Sequence, residues 1–290
     1  MKNYILLAFT LIFSLEIYAQ QQPAAYALNE EYNFWNIDQG ATAYVIADQA
    51  YIRDYPNTTA KLIDSVTMGT AVKILSPGYN GNKVKGFYAP WHEVSYQKNN
   101  ETKKGFIWLG LLALGQQVDN EGNQYIFGFD RFVPEHNETP AYYSCDVKLL
   151  DKTGKLISKY NFHYDYLDQS FFQSKLLPNM GLDGLKNILR LEFAGEACGI
   201  PSEYYYVGWN GSEFIDMPKR YTVSDAGIFY YEEKILFPSE HKKEPNMVYK
   251  LIEEGQADDP DKEDSKLTIT KKQETYIWNG KKFSQLLEMK

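Results

Sequence analysis

Two cysteines, four histidines and several clustered carboxylates are the side chains of this chain with the chemistry for catalysis or metal binding. A thiolate nucleophile needs a paired base and a depressed pKa. Cys145 stands in the strand-like Tyr-Ser-Cys-Asp-Val, and Cys198 in the loop-like Glu-Ala-Cys-Gly-Ile-Pro. The only histidine after Cys198 is His241, in the solvated run His-Lys-Lys-Glu, so no thiol–imidazole pair is legible. The cysteines read either as one bridge, which an oxidising compartment permits, or as two buried thiols. His92, His136, His163 and His241 show no short ligand spacing of the kind a catalytic zinc site uses. His92 reads as an outward-facing, solvated strand residue. Glu192, Glu196 and Glu203 lie close in sequence, but glycoside hydrolysis needs two carboxyls facing each other across a cleft. The acidic run from Glu253 to Asp264, opposed only by Lys262, lacks a calcium loop's glycine in place and reads as a solvated loop. Gly-x-Ser-x-Gly, the phosphate-binding loop and Gly-x-Gly-x-x-Gly are absent. The reading is therefore non-catalytic, with no cofactor and no metal.

What positions these residues is a β-rich chain. A length of 290 residues, at about 150 per domain, suggests two domains and ample core. With 24 Tyr and 16 Phe the composition favours pleated, half-buried surfaces. A net charge of −8 argues against a nucleic-acid partner, which wants a basic face. Residues 1–19 combine Lys2, an apolar run from Tyr4 to Leu15 and a terminal Ala19, the pattern of a cleaved secretory signal peptide. The run is shorter than the ~20 residues that span a bilayer, and no later segment is long and apolar enough to span one. The expectation is an exported protein, periplasmic or secreted.

Residues 20–40 read as a lead-in that docks through Phe34 and Trp35. Residues 41–115 carry short alternating runs, at 43–46, 50–53, 71–75, 91–96 and 104–109, split by turn-rich stretches; this spacing predicts a small barrel or sandwich. The polar stretch 116–123 is taken as a boundary, with a larger antiparallel β domain over 124–290, either a sandwich or a partial propeller. Trp-Asn-Gly-x-x-Phe occurs at 209–214 and again at 278–283, predicting two hairpins with type I′ turns. The repeat reads either as two tight hairpins or as a duplicated sheet unit.

The order of motifs in 41–115 resembles bacterial SH3 domains. Tyr51-Ile52-Arg53 matches their Val/Ile-Arg step, Pro56 the following loop, and Met68-Gly69-Thr70-Ala71-Val72 their glycine step. Trp91-His92-Glu93-Val94 matches the tryptophan strand and Gly105-Phe106-Ile107 the last strand. The resemblance covers about a quarter of the chain. It departs at Asp54-Tyr55-Pro56-Asn57, where the family has Ser-Gly-Pro-Ser, and at an insertion from Pro77 to Pro90. It implies an SH3-like barrel with Val45, Ile52, Val72, Ile74, Val94, Phe106 and Leu112 inward and Gly69 at a tight turn. It also implies a groove flanked by Tyr51, Tyr55, Tyr88 and Trp91, whose flat rings suit a peptide or a sugar. By the same resemblance the partner is a peptidoglycan peptide or another exported protein. The alternatives are a wall or polysaccharide hydrolase that uses the barrel for targeting, and a protein–protein scaffold. More faintly, Asn179 to Asn187 resembles a worn calcium loop of FG-GAP and VCBS-type β repeats. Asp183 and Gly184 match, while Asn179, Gly181 and Asn187 replace other ligands. One carboxylate falls short of calcium's needs, so the reading is a turn that kept its shape without an ion.

Overall fold

The structure is a computed structural model, and it describes residues 34–165, 169–259, 262 and 265–287. The leader at 1–19 and most of the lead-in lie outside the described residues. The chain is nearly all β and antiparallel, as its alternation predicts. Each of its sheets is built from one contiguous stretch of sequence.

Sheet 1 holds β1 (Thr42–Tyr44), β2 (Gln49–Arg53), β3 (Leu62–Thr67), β4 (Ala71–Ile74), β5 (Tyr79–Val84), β6 (Phe87–Lys98) and β7 (Glu101–Trp108). Its order is β1-β4-β6-β7-β2-β3, with β5 beside β6. The described strands do not close into a barrel. A 3-10 turn, Leu109–Leu111, returns the chain so that Leu112 bridges Val45 beside β1. Gly69 adopts φ +77° where its N–H reaches the Val45 carbonyl, the left-handed turn its position predicts.

Sheet 2 holds β8 (Gly115–Val118), β9 (Gln124–Val133), β10 (Tyr142–Leu150) and β11 (Leu156–Tyr164), in the order β11-β10-β9-β8. The polar stretch 116–123 thus contains most of β8 and the turn into β9. Sheet 3 holds β12 (Phe171–Pro178), β13 (Asn187–Ala194), β14 (Ser202–Trp209), β15 (Phe214–Asp216), β16 (Arg220–Asp225), β17 (Phe229–Leu236), β18 (Met247–Ala257), β19 (Leu267–Trp278) and β20 (Phe283–Leu286). A four-residue helix, α1 (Pro238–His241), precedes β18.

One buried cluster draws on all three sheets. Phe34 and Trp35 sit where they meet, both buried, as the lead-in reading expects. Trp35 donates its indole N–H to the Leu112 carbonyl at 2.9 Å and packs on Phe87 of sheet 1 and Phe129 of sheet 2. Gln117 of sheet 2 donates to Ser174 of sheet 3, 3.0 Å to its Oγ. A second cluster, with Leu185, Ile188, Phe237, Val248 and Trp278, fills the far part of sheet 3.

Of the predicted inward positions Val45, Ile52, Val72, Ile74, Val94 and Leu112 are buried, but Phe106 is only partly so and Ile107 takes its place. His92 corrects the expectation of a solvated residue, since it is fully buried. One cause explains both. His92 is two residues from Val94 and shares its inward face, and the register pairs His92 with Ile107 on that face, while Phe106 pairs with Glu93 on the other. His92 Nδ1 lies 3.0 Å from the Ser76 carbonyl, and burial pushes the imidazole pKa down.

Edge strand β3 is clasped to β6 through Asp64. Its carboxylate accepts bonds from the Lys98 ammonium, the Ser65 N–H at 2.8 Å and the Tyr96 hydroxyl at 2.9 Å. Led by the Lys98 bond, these hold the Asp64 pKa at about 2, against an ordinary 3.8. A depressed carboxylate pKa contributes stability above the ordinary value and loses it as pH falls toward the folded one. Stability should therefore drop between about pH 4 and pH 2, and Asp64→Asn should flatten that limb of the curve. Urea denaturation at stepped pH measures the slope, and an unchanged acid limb in the variant would refute the assignment.

Both Trp-Asn-Gly-x-x-Phe segments are hairpins, pairing Trp209 with Phe214 and Trp278 with Phe283. They are not type I′ turns, because only the glycines (Gly211 φ +98°, Gly280 φ +85°) are left-handed. Asn210 Oδ1 accepts the Ser212 and Glu213 N–H groups, and Asn279 Oδ1 those of Lys281 and Lys282. The asparagine side chain organises a four-residue loop instead.

Candidate functional site

A cavity of about 380 Å³ opens between sheets 1 and 2. Its volume is at the lower end of small-ligand pockets, which run from roughly 300 Å³ upward. Trp91 of β6, Trp108 of β7, Leu111 and Phe129 of β9 supply apolar and aromatic surface. The β1–β2 loop contributes Ile46, Ala47 and Asp48, and β2 contributes Tyr51 and Arg53. Val84 and Lys85 come from the β5–β6 hairpin, which is what the Pro77–Pro90 insertion forms. That hairpin also holds the tryptophans: Asn82 Oδ1 accepts the Trp91 indole N–H at 2.7 Å, and the Trp108 indole donates to the Ala89 carbonyl at 2.9 Å.

Sheet 2 adds the charges. Lys148 Nζ, on β10, donates to the Ile46 carbonyl at 2.9 Å and to Asp48 Oδ1 at 2.8 Å, tying β10 to the β1–β2 loop. Lys159 of β11 pairs with Asp146 of β10 at 2.8 Å, and Asn161 Nδ2 donates to the same carboxylate. Lys85 stands 3.5 Å from Asp130. The Lys148 bond holds the Asp48 carboxyl below its ordinary pKa, and the bond to Asp146 raises that of Lys159. Both shifts favour the charged forms, which suits polar recognition and not proton transfer near neutrality.

Of the four predicted groove residues, the cavity brings together Tyr51 and Trp91. Tyr51 is half exposed at its edge, whereas Trp91 is buried and shows it only part of its ring. Tyr55 and Tyr88 are exposed but do not line it; the Tyr88 ring lies across Gly81, where a Cβ would stand 1.8 Å from it. The charged half went unseen in the sequence, although Asp146 and Lys148 alternate with Cys145, Val147 and Leu149 along β10, all five being buried. Buried charges at period two on a strand signal a face that meets other polar groups.

The other groups considered for chemistry are dispersed. Cys145 is buried, with its thiol pKa pushed well up by burial, Cys198 is exposed, and no bridge joins them. Glu192 lies beside Arg190 at 3.5 Å, Glu196 accepts from Ser170 Oγ, and Glu203 accepts from the Tyr205 hydroxyl. Phe193 pairs with Glu203, so Glu192 and Glu203 project from opposite faces of sheet 3 and cannot flank one bond. His241 ends α1, with Nε2 2.9 Å from the Met247 carbonyl, and not in a solvated loop. Asp183 accepts a bond from Asn246 Nδ2, and its carbonyl takes the Trp278 indole N–H at 2.7 Å. The turn from Asn179 to Asn187 is therefore a fastening between the start of β13 and the end of β19. No described helix is long and apolar enough to cross a membrane.

No family model, curated protein or solved structure matches the chain.

Proposed function

We propose that the protein is a non-catalytic binding protein of the cell envelope, which takes a peptide into the cavity between sheets 1 and 2. The observation that carries this is the lining: Tyr51 exposed at the edge, backed by the buried rings of Trp91, Trp108 and Phe129, beside the ion pairs of Lys148, Lys159 and Lys85. A peptide offers both apolar side chains and polar main-chain groups, which such a lining can meet together. The motif order of residues 41–115 supports a peptide or cell-wall ligand, and the leader pattern of residues 1–19 supports a place outside the cytoplasm.

The test is retention of the full chain on purified peptidoglycan and on peptides released from it. Tyr51→Ala should weaken retention about tenfold, as losing an aromatic contact does. Tyr55→Ala and Tyr88→Ala, outside the cavity, should leave it unchanged. Equal retention of wild type and Tyr51→Ala would remove the cavity from the reading.

A further inference from the structure

We propose that Lys148 is a receptor for a carboxylate: a peptide in the cavity places its free C-terminal carboxylate on the Lys148 ammonium and displaces Asp48. This rests on the peptide-binding reading and adds the ligand's chemical class.

The argument starts from β-sheet register. Lys148 of β10 pairs directly with Lys159 of β11, and both line the cavity. Like charges directly opposite on neighbouring strands repel, so the pair is unfavourable unless anions face it. Lys148 is also buried, its side chain 6% exposed, and a buried ammonium is tolerated only when paired. An apolar residue would serve the sheet better at this position.

The two anions that answer the lysines differ. Asp146 is 5% exposed, bonded to Lys159 and Asn161, and belongs to the wall. Asp48 is 87% exposed on the β1–β2 loop and meets Lys148 from the water side. A carboxylate already mostly hydrated loses little by swinging away. Asp48 thus stands in a position that a ligand carboxylate can take over, gaining the buried ammonium's N–H bond. Asp130 pairs with Lys85 at 3.5 Å and Arg53 donates to the Ala60 carbonyl, while the ion pair of Lys148 is with the exposed Asp48. The cavity volume of about 380 Å³, with the half-exposed Tyr51 ring at its edge, leaves room for the last apolar residues of the peptide.

The full chain is immobilised and offered two libraries of N-acetylated tripeptides drawn from Gly, Ala, Leu and Phe. One ends in a free carboxylate, the other in a carboxamide. Free acids should be retained at least about tenfold more strongly than amides, the strength of a hydrogen bond to a charged group. Lys148→Met should erase that preference. Asp48→Asn, which keeps an amide oxygen as acceptor for Lys148 and removes the competing charge, should raise acid retention several-fold. A purely structural Asp48–Lys148 pair predicts no such gain. Equal retention of acids and amides, both lowered by Tyr51→Ala, would overturn the carboxylate proposal and leave peptide binding standing. A preference that survives Lys148→Met, or no gain with Asp48→Asn, would overturn it as well. Retention of neither library would overturn both readings.

Discussion

Replacing Phe34 with alanine is expected to remove about 3–5 kcal/mol of folding stability, the range for a fully buried phenylalanine. The ring touches three others edge-on, with centroid distances of 5.9 Å to Phe129, 6.0 Å to Tyr164 and 5.8 Å to Phe193. Phe129 and Tyr164 belong to sheet 2 and Phe193 to sheet 3, while the adjacent Trp35 reaches Phe87 of sheet 1. Truncation loses the transfer free energy of the ring and leaves a void at a junction that backbone relaxation cannot fill, because each wall is a hydrogen-bonded sheet. For a chain of this size the thermal midpoint should fall by roughly 6–20 °C. Phe34→Leu should recover a large part of the loss, since it restores volume without the edge-to-face geometry. Calorimetry and urea denaturation read both quantities, with Tyr55→Ala as an exposed control expected within about 0.5 kcal/mol of wild type. A cost below about 1 kcal/mol for Phe34→Ala would mean that the segment is an ornament on the core and not its keystone.

The second large effect is expected at Lys250. Its ammonium lies 2.9 Å from Glu233 Oε1; the Glu233 side chain is buried and that of Lys250 mostly so. Glu233 also accepts the Tyr231 hydroxyl at 2.9 Å and the Tyr221 N–H at 2.8 Å. Glu274 of β19 stands opposite Lys250 in the ladder. Lys250→Met strands the Glu233 carboxylate without its cation and should cost about 3–5 kcal/mol at pH 7. The sign of the pH dependence follows. An unpaired buried carboxyl has a raised pKa in the variant, so protonation relieves the defect and the penalty shrinks as pH falls toward 5. The double variant Glu233→Gln/Lys250→Met should recover most of the loss at neutral pH, because no uncompensated charge remains. Stability curves for the three proteins at pH 5 and pH 7 check this. A penalty that is independent of pH, or a double variant as weak as Lys250→Met, would sink the account.

Much of the architecture was readable because strand alternation and turn chemistry are local. Val45, Ile52, Val72, Ile74 and Val94 declare one inward face each, Gly69 announces its turn, and the two Trp-Asn-Gly-x-x-Phe segments place their hairpins. The errors fall where a second sheet covers a strand. Phe106, Ile107 and Trp108 are consecutive and apolar, so period two cannot choose among them; packing from both sides does. His92, two residues from Val94, is buried simply because it shares that residue's inward face. In the cavity, aromatic Tyr51 and Trp91 were legible, being unusual at loop and strand edges. Lys148 and Asp48 were not, because the bond that makes them a pair spans 100 residues and no periodicity encodes it.

The berth of Phe34 also sets a clock. Its partner Phe193 is about 160 residues further along the chain, an interval of roughly 8–30 s at ordinary rates of synthesis. Until β13 exists, Phe34 lacks its sheet 3 partner, and the junction of the three sheets stays open. A chain wired in this way cannot finish folding as it emerges and reaches its native state only once almost two-thirds of it is available together.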